Sequence, residues 1–531
     1  MKRLFTVAMI VTLAFIVVAC GSGSNGGTSG GDPGIKQLVV SLNSEPTTLD
    51  GTQAADFNSD RTCGELYNQV VRFGPSSMDI EPDLATSWDI SDDGLVYTFY
   101  LRDDVDFHDG THFDAEAVRF NYDRQMNPDN PYNSLGEFSY AYYMFEMVDR
   151  VEVVDEYTFR FYLAEPFAPF MAHVAMAQFS IVSPAAVEKY GRDFSMNPVG
   201  TGPFRFVSWT PGSEVILEKN PDYFRGPAKL DRLIFRPIKD DNVRQNELEA
   251  GTIDFMCDIL PDNLDGLKSN SNLKVMEQAG LHVWYLSMNC SKEPFNKRDV
   301  RQAMYYAIDR QSIVDNILQG TGILAHNMVP PLTFAYTDDV PKYGYDPDKA
   351  RQLLAQAGYP DGFSIDFYIP ESGSGMQQPV AMAVAMQSDL AKVGVNVNIV
   401  QMEWGAYLDK VFVPTEEQDM LLLEMSYAAD DGDPDNFLYG LCSGRQIPPL
   451  GYNCAYFGDD ELDAVLVEAR MTADLDKRIE LYKRAQQILM TEVPHLVIDH
   501  EIQIVAMKKN VTGFVLHPRG LFRFHEVDIT N

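Results

Sequence analysis

A chain of 531 residues exceeds what one hydrophobic core serves, so its length calls for two or three lobes. Hydrophobic residues at 45% and charged residues at 22% match a folded globular protein and exclude a disordered one. A formal net charge of −35, from 77 acidic against 42 basic side chains, repels phosphate backbones and excludes nucleic acid as a partner. The same acidity either keeps an exported protein soluble or steers cationic solutes toward a cleft.

Lys2 and Arg3 precede an uncharged, mainly apolar run over residues 4–19, the pattern of an export signal. The run falls short of the roughly 20 residues that span a bilayer. It ends Val17-Val18-Ala19-Cys20-Gly21, which resembles a bacterial lipobox and implies lipidation of Cys20; a plain signal peptide with a chance cysteine is the alternative. Residues 21–34 are Gly/Ser-rich and read as a flexible tether. Gly21, Gly23 and Gly26 satisfy GxGxxG, but no strand precedes them and no helix follows, so they make no dinucleotide site. No later uncharged segment reaches spanning length, so the body is expected to be soluble, exported, and lipid-anchored to the cell membrane or in the periplasm.

The body opens with a buried strand over residues 37–42. Residues 86–102 alternate around Asp93-Gly94, a hairpin signal, and a second hairpin over 151–163 turns at Asp155-Glu156. Helical spacing of Val300, Met304, Ala307, Ile308, Ile313 and Ile317 predicts a helix over 299–318, stopped by Gly320. A strand at 363–369, a helix at 379–393 closed by Gly394, and a strand at 395–400 form a βαβ unit, which predicts a parallel sheet. Helices over 459–472 and 475–490 and a strand over 494–498 complete the chain. Five cysteines follow Cys20, and the short Gly- and Pro-containing loop between Cys442 and Cys454 suggests a bridge worth roughly 3 kcal/mol. The pairing of Cys63, Cys257 and Cys290 stays open.

Residues 81–102, from Glu81-Pro-Asp-Leu to Tyr-Leu-Arg102, and Phe107-His-Asp-Gly-Thr-His-Phe-Asp-Ala-Glu-Ala-Val-Arg119 resemble the signature of family 5 extracellular solute-binding proteins. Further matches follow in order at Val199-Gly-Thr-Gly-Pro-Phe204, Asn220-Pro-Asp-Tyr-Phe224, Val300-Arg-Gln-Ala-Met-Tyr-Tyr-Ala-Ile-Asp309 and Gly432-Asp-Pro-Asp-Asn-Phe437. The resemblance covers residues 35–531 and is closest to the dipeptide-binding branch around Tyr427 and His517. It implies an α/β, two-lobed periplasmic-binding-protein type II-like fold with an extra inserted subdomain, closing on solute about a hinge. Lobe I is expected from 35–80, 199–286 and 501–531, subdomain II from 81–198, and lobe III from 287–500. The lobe crossings are placed near 286–289 and 498–501.

The resemblance also implies the function: a solute-binding component of an ABC importer, capturing di- or oligopeptides, with the permease subunits and the membrane anchor as partners. The expected protein is a monomer without cofactor, metal or catalysis. Dipeptide-binding relatives hold the solute ammonium with an Asp at the position of Asp430, since a buried charge needs a partner. Tyr427 falls where relatives carry an aromatic wall, and Trp404 lies in a segment near the pocket. The relatives' carboxylate-clamping Arg is absent, because no Lys or Arg stands between Arg351 and Lys392. In its place Glu371-Ser-Gly-Ser-Gly-Met-Gln-Gln378 enters a helix, and Ser372, Ser374, Met376 and neighbouring amides are candidates for the solute's other end. Without the resemblance, Asp430, Asp431, Asp433 and Asp435 would read as a solvated acidic turn.

A secreted hydrolase is the rival class, but the body over residues 35–531 contains neither HExxH nor GxSxG, and His500-Glu501 lacks a following His. A nickel chelate or haem is the alternative cargo; His108 and His112 are four apart but flank the turn Asp109-Gly110. A surface scaffold is the third class.

Overall fold

The computed structural model of the protein describes residues 34–372 and 375–530. The export signal, Cys20 and the tether therefore lie outside the described residues, and so does Ser374. Among the described residues no helix is long and apolar enough to cross a membrane.

An eleven-stranded mixed sheet runs through the whole body. Strand Gln37–Leu42 is central: Leu38, Val40 and Leu42 are fully buried, and it pairs in parallel with Arg232–Pro237 on one side and Phe255–Cys257 on the other. An apolar run buried on both faces is what such a position requires. At the far end, Phe363–Pro370 and Val395–Met402 pair in parallel register with helix Pro379–Ala391 crossing between them. Gly394, at φ +87°, takes the left-handed turn that ends the crossover. Two long antiparallel strands, Leu273–Met288 and His495–Lys508, join these ends.

The two hairpins form a separate four-stranded sheet, ordered Ala85–Ile90, Val96–Leu101, Thr158–Leu163, Val148–Asp155. Gly94, at φ +69°, makes the first turn. The helix expected over 299–318 is broken. Helix Arg298–Ala307 ends at Ile308, and Asp309 caps a new turn by accepting from the Ser312 amide at 3.0 Å, so a local side chain overrides the apolar period. The strand expected over 494–498 is only the start of His495–Lys508.

Burial divides the fold into a core spanning Val283 to Ile498, a second built from both chain ends around Leu38 and Phe524, a third around Phe99 and Phe161, and a smaller fourth around Leu248 and Ile504. The two-lobed α/β architecture with a smaller inserted layer follows from this division. The first long strand has Leu273 in the fourth core and Met276 against the second, and enters the first at Val283, with a register shift between Ala279 and Val283. This bulge lies a few residues before the segment 286–289. On the returning strand Ile498 lies in the first core and Ile504 in the fourth.

The expected bridge between Cys442 and Cys454 is not formed: both are buried free thiols, as are Cys63 and Cys257, and Cys290 is free and half-buried. Cys442 Sγ lies 3.6 Å from the Phe437 carbonyl within its own helix, while Cys454 Sγ lies 3.1 Å from Ser287 Oγ. Each sulfur has its own partner, so short sequence separation does not become S–S geometry. Thiol titration of residues 35–531 in denaturant without reductant is expected to count five thiols; a count of three would restore the bridge.

Candidate functional site

Strand Leu422–Ala428 leads to Asp430, and the four acids that follow from there do different work. Asp431, Asp433 and Asp435 are buried and paired: Asp431 with His173 at 3.3 Å and with the Tyr143 hydroxyl at 2.8 Å, Asp433 with Arg478 at 2.7 Å, and Asp435 with Arg470 at 3.0 Å. Their carboxylates also shape the backbone. Asp431 Oδ1 accepts from the Asp433 amide and Asp433 Oδ1 from the Asp435 amide, which starts helix Pro434–Cys442 with proline in its first turn. Burial pushes the Asp435 carboxyl up to about 6, and burial also raises Asp431, but hydrogen bonds and charge from His173 and Tyr143 leave it below the ordinary range. These three acids are structural, and the solvated-turn reading does not hold for them.

Asp430 is different, because it lines a cavity of about 400 Å³. Arg519 donates to it through Nε at 3.0 Å and through Nη2 at 2.7 Å, and the same Nη2 lies 2.8 Å from Asp60 Oδ2. The Tyr140 hydroxyl also bonds Asp430. One buried guanidinium thus serves two carboxylates. Burial first, and the neighbouring charge of Asp430 after it, lift Asp60 to about 6 against the pull of Arg519.

A second cavity of about 790 Å³ adjoins the first, and both are lined by Asp56, Phe57, His282, Gly375, Ala428 and Arg519. The expected residues divide between them. Tyr427 lines the smaller, set edge-on to Phe437 with ring centres 6.0 Å apart. Trp404, stacked on Tyr407 at 6.1 Å, lines the larger together with Ser372 and Met376. Gly375 is required here: at φ +70°, any Cβ would stand 2.5 Å from His282 Nε2. Gln377 ties this loop to strand His495–Lys508 by donating to Glu501 Oε1 at 3.0 Å, and His282 Nδ1 meets Glu501 Oε2 at 3.1 Å. Burial raises Glu501 to about 7 and lowers His282 to about 4.

Sequence reasoning missed Arg519, Asp60, Tyr140, Tyr143 and Gln178 as cavity residues. The segment around His517 carried the resemblance, which was the available signal for Arg519. The histidine pair is taken apart: His108 Nε2 bonds the Gly202 carbonyl at 3.0 Å, whereas His112 is exposed and bonds Asp106 at 2.7 Å. No group of three or more His, Cys, Asp or Glu among the described residues is arranged to hold a metal.

Residues 79–448 match the family described as bacterial extracellular solute-binding proteins, family 5 Middle. The chain is 36% identical to heme-binding protein A of Haemophilus influenzae, covering 88% of this chain and 87% of that protein. It is 35% identical to the dipeptide-binding protein of Escherichia coli, covering 87% and 89%. Among solved structures, the ABC transporter-associated periplasmic binding protein DppA of Helicobacter pylori, in complex with the peptide STSA, superposes with a TM-score of 0.79 at 34% identity, over 93% of this chain and 98% of that one.

Proposed function

Because this chain belongs to the family 5 bacterial extracellular solute-binding proteins, whose members bind solutes for transport and catalyse nothing, we propose that it delivers peptides with a free amino terminus to an ABC importer. One observation carries the cargo assignment: Asp60 and Asp430 share Arg519, which leaves one negative charge uncompensated where the two cavities meet. A solute ammonium supplies the missing charge, and desolvation in the closed cleft makes that pairing selective. Tyr427 bounds the ammonium end. Trp404, Ser372 and Met376 flank the larger cavity, where the rest of the solute lies without an arginine clamp. Lipidation at Cys20, a monomeric state, and lobe limits at 35–80, 199–286, 501–531, 81–198 and 287–500 complete the reading. The peptide cargo of the dipeptide-binding relative and of the STSA complex supports it. The haem-binding relative supports the alternative cargo, for which the cavities offer no group of metal ligands among the described residues.

Native mass spectrometry of residues 35–531, purified without refolding, is expected to release peptides; a haem or metal chelate would overturn the peptide assignment. Calorimetry adds the pH dependence. Asp60 faces Arg519, Asp430 and Asp56, and its carboxyl titrates near 6. Above 6 the pair carries its full negative charge and binds an ammonium best; as pH falls through 6, Asp60 takes a proton and affinity drops, up to about tenfold per unit. Binding at pH 5.5 should therefore release protons, and N-acetylated peptides should bind at no pH. Proton uptake on binding would contradict the ammonium anchor.

A further inference from the structure

The smaller cavity contains more acceptors than an amino terminus can use. Gln178 and Asn436, 1% and 4% exposed, both line it, and the amide oxygen of each has no donor. The amide orientations are fixed by their partners. Gln178 Nε2 donates to the Ala54 carbonyl at 3.1 Å and to Asp60 at 3.2 Å, so its Oε1 is the end left over. The Tyr143 hydroxyl spends its proton on Asp431 at 2.8 Å and accepts from Asn436 Nδ2 at 2.6 Å, so Asn436 Oδ1 is left over in the same way. A buried acceptor without a donor is costly, and two beside one cavity call for a donor-rich guest.

Charge and wall composition point the same way. Three carboxylates, Asp56, Asp60 and Asp430, border the cavity against the single guanidinium of Arg519. An amino terminus offsets the surplus of the Asp60 and Asp430 pair and leaves Asp56 beside it, whose carboxylate caps helix Phe57–Cys63 by accepting from the Asn58 and Ser59 amides. Tyr140, Tyr143, Tyr427 and Tyr452 form the walls, and aromatic faces attract organic cations. Tyr452 is half exposed and closes the outer side.

We propose that this cavity receives the side chain of a basic first residue, so that the protein selects peptides beginning with arginine or lysine. The proposal rests on the peptide reading above and adds a specificity to it. Its logic is that the two unpartnered amide oxygens and the carboxylates there accept hydrogen bonds, whereas a guanidinium or ammonium only donates them.

The test is calorimetry on tripeptides X-Ala-Ala, with X as Arg, Lys, norleucine, Leu or Glu, using the unliganded body of residues 35–531. Norleucine keeps the length of lysine and removes its charge. Arg and Lys are expected to bind at least tenfold tighter than norleucine, with Glu weakest. Norleucine or Leu binding as tightly as Lys would overturn the inference while leaving the peptide function intact. No binding by any member, together with a non-peptide native cargo, would overturn both. Tyr452→Leu, at a half-exposed wall position, is expected to shrink the arginine-over-norleucine ratio by roughly three- to thirtyfold. An unchanged ratio, together with an unchanged ratio in Asn436→Ser, would also reject the subsite.

Discussion

Asp430→Asn is expected to abolish peptide capture in practice, weakening affinity on the order of 30- to 5,000-fold, while leaving the protein folded. The magnitude follows from truncating one partner of a buried, hydrogen-bonded charge pair, which costs about 2–5 kcal/mol. Asparagine keeps the size and one acceptor oxygen but removes the charge that makes the cavity junction anionic. The fold survives because Arg519 still holds Asp60 at 2.8 Å, and because the Asp430 side chain is 15% exposed, with water near it in the free state. The matched control is Asp431→Asn. That acid faces His173 and Tyr143, so its loss weakens contacts between subdomain and lobe rather than the ammonium pairing. Calorimetry with the natively carried peptide separates the two, since a Kd for Asp430→Asn within threefold of the parent would remove Asp430 from the binding role.

How far the chain could be read in advance depended on the range of the interaction. Strand Gln37–Leu42, the hairpin around Gly94 and the crossover ending at Gly394 are written locally, in apolar runs and in glycines at positive φ, and the structure has them where the sequence puts them. Helix Arg298–Ala307 was overextended because its apolar period continues past the point where the Asp309 carboxylate captures the next turn. The acidic stretch shows the limit most plainly. Asp430, Asp431, Asp433 and Asp435 are the same residue type within six positions, and only their partners distinguish them. Three of those partners are 45 to 288 residues away: Arg478 for Asp433, Arg519 for Asp430, Tyr143 for Asp431. No periodicity encodes such pairs. The link between Asp60 and Arg519 spans 459 residues, so the charge surplus that carries the functional reading could not be counted from the sequence.

That same link yields the second large effect, on stability. Arg519→Leu is expected to destabilise the body by about 3–5 kcal/mol at pH 7.5, the range for stripping a buried charge of its partner. Asp60 is 4% exposed and already lifted to about 6 by burial and by Asp430; without the guanidinium, two neighbouring carboxylates face each other with no cation between them. The sign of the pH dependence follows. A carboxyl whose folded pKa lies above its unfolded value costs stability when it is ionised, so the penalty is full above that folded value and disappears as the group protonates. Removing Arg519 raises the folded value further, so the variant should recover toward the parent as pH is lowered from 7.5 to 5.5. Arg519→Lys keeps a charge but loses the planar fork that reaches both acids, and should fall between the two. Urea midpoints of the three proteins at both pH values decide the matter. A shift smaller than about 1 kcal/mol for Arg519→Leu at pH 7.5, or one that grows as pH falls, would mean that the two acids do not depend on this arginine, and the charge surplus at the cavity junction would have to be recounted.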